Sequence, residues 1–159
     1  MTDSHIQNDQ EVCELLHRFG LARDGVTAAV CRATHLAPNE LQTLEYLEEE
    51  GPLTLGELGE RISLSSGGMT QLVDRLEKAG WVSRRRHPSD RRAVLLELNR
   101  KTAEEALPLL ERFHMRLADA AAQLSPSERE AVAAFLAAAA TAASEVAGAM
   151  RVQAAERPD

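Results

Sequence analysis

Apolar residues recur at helical spacing along most of this chain and at strand spacing in one short stretch near its middle. Leu55, Leu58 and Ile62 fall on one side of a short helix. Thr54 followed by Glu57 is a capping-box start for that helix, each side chain covering a free backbone N–H of the other residue. Met69, Leu72, Val73 and Leu76 follow at i, i+3, i+4 and i+7, so one side of a second helix is buried, and Ser65 and Ser66 are both good N-cap types for it. The opposite side carries Gly67, Gln71, Asp74 and Lys78, flanked by Gly68, Thr70 and Arg75. No large apolar residue points outward there, and two serines and two glycines let another molecule's backbone come close. Gly80 predicts a left-handed helix stop, with Trp81 packing back on Leu76. Residues 81–86 and 92–98 then read as strands, the second with Val94, Leu96 and Leu98 on one face and Ala93, Leu95 and Glu97 on the other. His87-Pro88-Ser89-Asp90 between them is turn composition. Two helices with a tight turn, the second polar outside, make a helix-turn-helix candidate.

The flanks are helical by the same reasoning. Residues 1–9 are polar and expected to be loose. A first helix over residues 10–34 sets Val12, Leu15, Leu16, Phe19, Val26 and Val30 on one side, weakened at Gly20 and Gly25 by roughly 1 kcal/mol each. Pro38 starts a second, with Leu41, Leu44 and Leu47 facing in, and Leu53-Thr54 can add a third strand to the ribbon. Asn99 is the N-cap of a long helix over residues 100–123, where Ala106, Leu110, Phe113, Leu117, Ala120 and Leu124 form a coiled-coil-like seam. Pro108 is expected to bend or locally open that helix. Ser125-Pro126-Ser127-Glu128 combines an N-cap, a Pro at the first helical position and a capping-box Glu, and so starts a last, Ala-rich helix over about 127–150. The expected fold is therefore mainly α with a small antiparallel β-wing. Its organisation reads as an N-terminal helix (1–36), a winged helix-turn-helix (37–99), C-terminal helices (100–150) and a flexible tail (151–159). The terminal helices carry more apolar surface than the small central module can cover, and pairing two copies would bury it. A monomeric bundle fits the periodicity nearly as well.

Charge changes the picture in one place. The net charge of −7 argues at first against nucleic acid, but residues 74–101 hold nine Lys/Arg against four Asp/Glu, leaving about −12 on the rest. A basic patch on an acidic body is what a steered DNA binder can show. Arg84, Arg85, Arg86, Arg91 and Arg92 crowd the hairpin turn, and five guanidiniums that repel one another call for an anionic partner such as phosphate. With 3% aromatic residues the core must be built of Leu, Val and Ala. There is no signal-peptide pattern, and Ala131–Ala143, the most apolar stretch, reads as too short and weakly apolar to span a bilayer. Two cysteines without a close framework suit a reducing compartment, so a soluble, cytoplasmic protein with no membrane partner is expected.

The run LTLGELGERISLSSGGMTQLVDRLEKAGWVSRRRHPSDRRAVLLEL, Leu53 to Leu98, resembles the winged helix-turn-helix of the MarR family of bacterial transcription regulators, including its Asp90-Arg91-Arg92 wing signature. In that family the second helix enters the major groove and the wing places an arginine in the minor groove. The resemblance implies that Ser65, Ser66, Gly67, Thr70, Gln71 and Arg75 face the groove, with Arg86 and the wing-tip arginines beside them. It gives Arg92 the wing-tip insertion, Arg91 next, and Asp90 the orienting of the wing by pairing with an arginine. It also implies a homodimer built on the terminal helices, double-stranded DNA carrying an inverted repeat as partner, repression as the commonest outcome, and release by a small aromatic ligand. His17, His35 and Trp81 are candidate linings for such a ligand. Around Asn99 the sequence departs from the family, which usually has Thr and a later Gly there; Asn caps equally well.

Other chemistry finds little support. Cys13 with His17 and Cys31 with His35 are i,i+4 pairs, but two ligands per site are too few for a metal, and an ordinary thiol beside an ordinary histidine is the simpler reading. Some peroxide-sensing members of the family carry a reactive cysteine early in the first helix, which makes Cys13 the residue for an oxidant-sensing alternative. Glu11 and Glu14 beside it oppose a lowered thiol pKa, and only His17 and Arg18 favour one. No nucleophile elbow or P-loop is present, so no enzyme, cofactor or metal is expected. The remaining alternative is a protein-interaction module whose helix-turn-helix no longer binds DNA.

Overall fold

The computed structural model describes residues 2–90 and 93–155. Its elements run α1 (Thr2–Thr34), α2 (Pro38–Glu50), β1 (Leu53–Thr54), α3 (Leu55–Ile62), α4 (Ser66–Lys78), β2 (Val82–Arg86), β3 (Val94–Leu98), α5 (Arg100–Ala122) and α6 (Pro126–Ala155). The fold is mainly helical with one three-stranded antiparallel sheet in the order β1-β3-β2. The two-residue β1 pairs Leu53 with Leu96, and β2 pairs Arg84 with the same Leu96 from the other side.

Each start and stop has a local cause. The Thr54 hydroxyl accepts from the Glu57 N–H at 3.3 Å, and the Glu57 carboxylate accepts from the Thr54 N–H at 2.7 Å, so the capping box of α3 is complete. The Thr54 hydroxyl also donates to that carboxylate at 2.7 Å, and with the Thr54 N–H it holds the Glu57 carboxyl below the usual carboxylate range. The Ser65 hydroxyl caps α4 by accepting from the Gly68 N–H at 3.2 Å. The other end of α4 is a Schellman stop. Gly80 takes φ +80°, the Trp81 N–H donates to the Leu76 carbonyl at 2.9 Å, and the Gly80 N–H donates to that of Glu77 at 3.0 Å. Ser125 and Glu128 close a second capping box at α6, the Ser125 N–H reaching the carboxylate at 2.8 Å.

The core is the expected aliphatic one. Leu41, Leu44 and Leu47 of α2, Leu58 and Ile62 of α3, and Met69, Leu72, Val73 and Leu76 of α4 close over Leu53, Val82 and Leu96 of the sheet. Val30 of α1 and Leu110 of α5 complete it. Trp81 packs partly buried against the same cluster.

Three expectations are corrected. α1 begins at Thr2 rather than residue 10, because polarity without Pro or Gly does not stop a helix, and α6 continues to Ala155 instead of ending at residue 150. Pro108, where a bend is expected, lies inside the single helix α5. The apolar stretch is longer than Ala131–Ala143: Pro126–Met150 is long and apolar enough by length and composition to cross a membrane, its most apolar part having a mean hydropathy of 1.5. The apolar run extends to Met150 across the lone Glu145, further than Ala131–Ala143 suggested.

The chain divides into two compact units, Met1–Phe113 and His114–Asp159. In the first, Phe19 of α1 stacks on Phe113 of α5 with ring centroids 6.3 Å apart, while Val12, Leu15 and Leu21 stay exposed. In the second, Val132, Phe135, Leu136, Val146 and Met150 of α6 are exposed.

Candidate nucleic-acid interface

Burial of Met69, Leu72, Val73 and Leu76 fixes the rotation of α4, so its other side must face outward. Ser65, Ser66, Gly67, Thr70, Gln71, Asp74, Arg75 and Lys78 are all exposed on it. Every residue assigned to the groove on sequence grounds thus shares one solvent-facing surface. Their polar groups are not equally available. The Ser65 oxygen is used in the cap. The Thr70 hydroxyl donates to the Ser66 carbonyl at 2.9 Å. The Arg75 Nε donates to Glu40 of α2 at 2.7 Å, leaving its terminal nitrogens at the surface. Gln71 has no side-chain partner among the described residues. A Cβ added at Gly67 would meet nothing within 4 Å, so the first turn of α4 offers open backbone.

The wing is set by the β2–β3 register. Residues opposite one another in an antiparallel pair share a face. Arg84 lies opposite Leu96, which is fully buried, so its side chain is carried toward the module. There it bridges Asp74 at 2.6 Å and Glu77, both on α4. These carboxylates raise the Arg84 pKa, the Asp74 hydrogen bond most. Arg85, on the other face, makes an exposed pair with Glu97 at 3.2 Å. Such exposed pairs are worth at most about 1 kcal/mol. Arg86 is exposed, shares a face with Arg84, and has no ion pair among the described residues.

The crowd of five arginines is therefore less uniform than its sequence implies, since carboxylates already serve Arg84 and Arg85. Sequence reasoning missed both pairs. The register held the signal for Arg85, because Glu97 lies diagonally across from it, but Arg84 needs the packing of β2 against α4. The hairpin closes at its base through the His87 N–H to the Ala93 carbonyl at 3.2 Å. The His87 ring Nδ1 accepts from the Asp90 N–H at 3.1 Å and sits 3.3 Å from that of Ser89, ordering the turn. Arg91 and Arg92 lie outside the described residues, and with them the pairing expected for Asp90.

The candidate effector residues are dispersed. His17 and His35 are both exposed, and the helix rise puts them about 27 Å apart along α1, too far for one small ligand to touch both within one chain. His35 sits at φ +58° where α1 ends, and Trp81 is half-buried at the start of the wing. Cys13 is exposed beside Gln10, Glu14, His17 and Arg18 on one face of α1. Cys31 is partly buried, and burial, then Glu45 and Glu40, push its thiol pKa up, the reverse of a reactive cysteine. Among the described residues, no group of three or more His, Cys, Asp or Glu could hold a metal ion.

Comparison with known proteins agrees with this geometry. The MarR family model matches residues 36–94, from the end of α1 into β3. YcgE, an HTH-type transcriptional regulator of Bacillus subtilis (strain 168), is 39% identical over 94 residues, 59% of this chain and 61% of that protein. A second B. subtilis regulator of the same type, YkoM, is 36% identical over 93 residues, 58% of this chain and 60% of its own length. The matched region thus spans about 60% of the length of these curated relatives. Among solved structures, the transcriptional regulator Tm0710 of Thermotoga maritima is similar with a TM-score of 0.61 and 25% identity, covering 93% of this chain and 99% of that one. A MarR family protein from Bacillus stearothermophilus gives the same TM-score and identity, covering 89% and 96%. The architecture, the sequence of the central module and these likenesses agree: residues 36–94 form a winged helix-turn-helix module that matches the MarR family.

Proposed function

We propose that this protein is a cytoplasmic, sequence-specific transcription regulator that binds an inverted-repeat operator in double-stranded DNA as a homodimer and represses from it. The observation that carries the reading is the outer face of α4. It is polar throughout, open at Gly67, and flanked on the wing by Arg86, which has no ion pair among the described residues. In this reading α4 enters the major groove. Gln71, with Ser66 and Thr70, reads base edges, since a Gln amide matches the donor–acceptor pair of adenine. Arg86, Arg91 and Arg92 meet phosphate or the minor groove and supply salt-dependent affinity. Two-fold pairing would set the two recognition helices about 34 Å apart, one turn of DNA.

The exposed apolar residues of α1 and α6 are assigned to the second copy rather than to a lipid bilayer. An Ala-dominated surface lets helices approach closely, and Glu145 would be costly in a bilayer. A small aromatic effector would release the DNA by binding one spacing of the two α4 helices better than the other.

Mutation separates the two kinds of contact. Arg86→Ala and Arg92→Ala should each weaken binding for all sequences and lower the slope of log affinity against log salt by about one. Gln71→Ala should leave the slope unchanged and relax the preference at one operator base pair. Wing variants with parental affinity and slope would remove the wing from the interface. A Gln71 variant with parental base preferences would remove that residue from readout.

A further inference from the structure

Glu40 is the one charged residue in the buried core of the described structure, 8% exposed, and the sequence alone marks it only as the third residue of α2. Its two oxygens do different jobs. Oε2 accepts from the Ala37 backbone N–H at 2.9 Å, covering one of the free donors at the start of α2. Oε1 accepts from the Arg75 Nε at 2.7 Å. Arg75 belongs to the exposed face of α4, and its side chain remains 59% exposed while that of Glu40 is 10%. One end of the pair is thus anchored in the module and the other is held at the surface.

We propose that Glu40 is a positioning residue for DNA recognition, fixing the guanidinium of Arg75 so that its terminal nitrogens meet the DNA end-on. This rests on the proposed DNA-binding function and deepens it. An unheld arginine would lose several rotatable bonds on binding, whereas Glu40 restrains Arg75 before DNA arrives. The carboxylate also offsets the charge of Arg75, so the pair adds geometry more than general attraction to phosphate. Arg75 then acts in specificity, and its contribution depends on Glu40.

Glu40→Gln tests this with little change of shape. The remaining carbonyl oxygen can keep the Ala37 cap, while the amide nitrogen, a donor, replaces the acceptor that holds Arg75. The probe is the duplex that the wild-type protein enriches from random-sequence DNA, with a scrambled duplex of equal length as reference. Glu40→Gln should lower the ratio of specific to scrambled affinity by about tenfold while leaving binding to the scrambled duplex equal or tighter. The double variant Glu40→Gln/Arg75→Gln should be no less specific than Arg75→Gln alone, because the two residues act as one unit. A parental ratio in Glu40→Gln would overturn the proposal and leave Glu40 a helix cap. So would a loss of the same size on the Arg75→Gln background. Thermal melting checks that each variant is folded; if Glu40→Gln alone melts early, the comparison of the double variant, which has no unpaired charge, with Arg75→Gln alone still decides. Failure of the wild-type protein to enrich any duplex would count against the DNA-binding reading itself and so is distinguishable.

Discussion

Gly80 shows how much can rest on one residue. The turn from α4 to β2 needs a backbone at φ +80°, and both Schellman hydrogen bonds depend on it. An added Cβ would have room, its nearest neighbour being the Thr102 hydroxyl at 3.9 Å, so Gly80→Ala is a test of strain alone. It should cost about 1–2 kcal/mol in a denaturant titration, the usual penalty for an L-residue in the left-handed region. Unchanged stability would mean that the turn tolerates another conformation. This residue was legible in the sequence because its cause is local: a Gly just past the last apolar position, with Trp81 placed to pack back. Arg75 and Arg84 were not. Their identities and exposure could be read, but their partners lie 35 residues away in Glu40 and ten residues away in Asp74. Which carboxylate an arginine finds is decided by packing between elements, which no local pattern encodes.

At the scale of the element, α4 opens weakly. Gly67 and Gly68 lower helix propensity where contact with DNA is expected, a loss that closeness of approach to another backbone would justify. Gly67→Ala separates the two effects, since the new methyl meets no protein atom within 4 Å. The variant should be as stable as the parent or up to about 1 kcal/mol more stable by thermal melting, yet bind DNA at least several-fold more weakly. Equal affinity would show that the first turn of α4 does not touch its partner. The elements themselves were largely legible, because capping boxes, apolar spacing and glycine stops are local signals, and even the two-residue strand at Leu53-Thr54 was expected. Their ends were less so. α1 and α6 outran the sequence reading at Thr2 and Ala155, since polar or Ala-rich helix carries no apolar stripe to mark where it starts and stops.

At the scale of the molecule, charge and apolar surface point to different partners. The basic excess lies in residues 74–101, chiefly on the wing and the start of α5, while the rest of the chain is strongly acidic. That separation would steer one surface toward an anionic polymer and away from others. Exposed apolar residues on α1 and α6 call for cover, and a second copy would supply it while setting the spacing of two recognition helices. The effector residues were the least legible part. His17, His35 and Trp81 were chosen by residue type, and a pocket is a property of assembled surfaces. The measurement that tests the central claim most directly is selection of bound fragments from the source genome by the purified protein, at near-physiological salt. An enriched inverted repeat with half-sites about one helical turn apart is the expected result, and it would establish a dimeric operator-binding regulator. Retention of no fragment above background by a protein shown to be dimeric would contradict it.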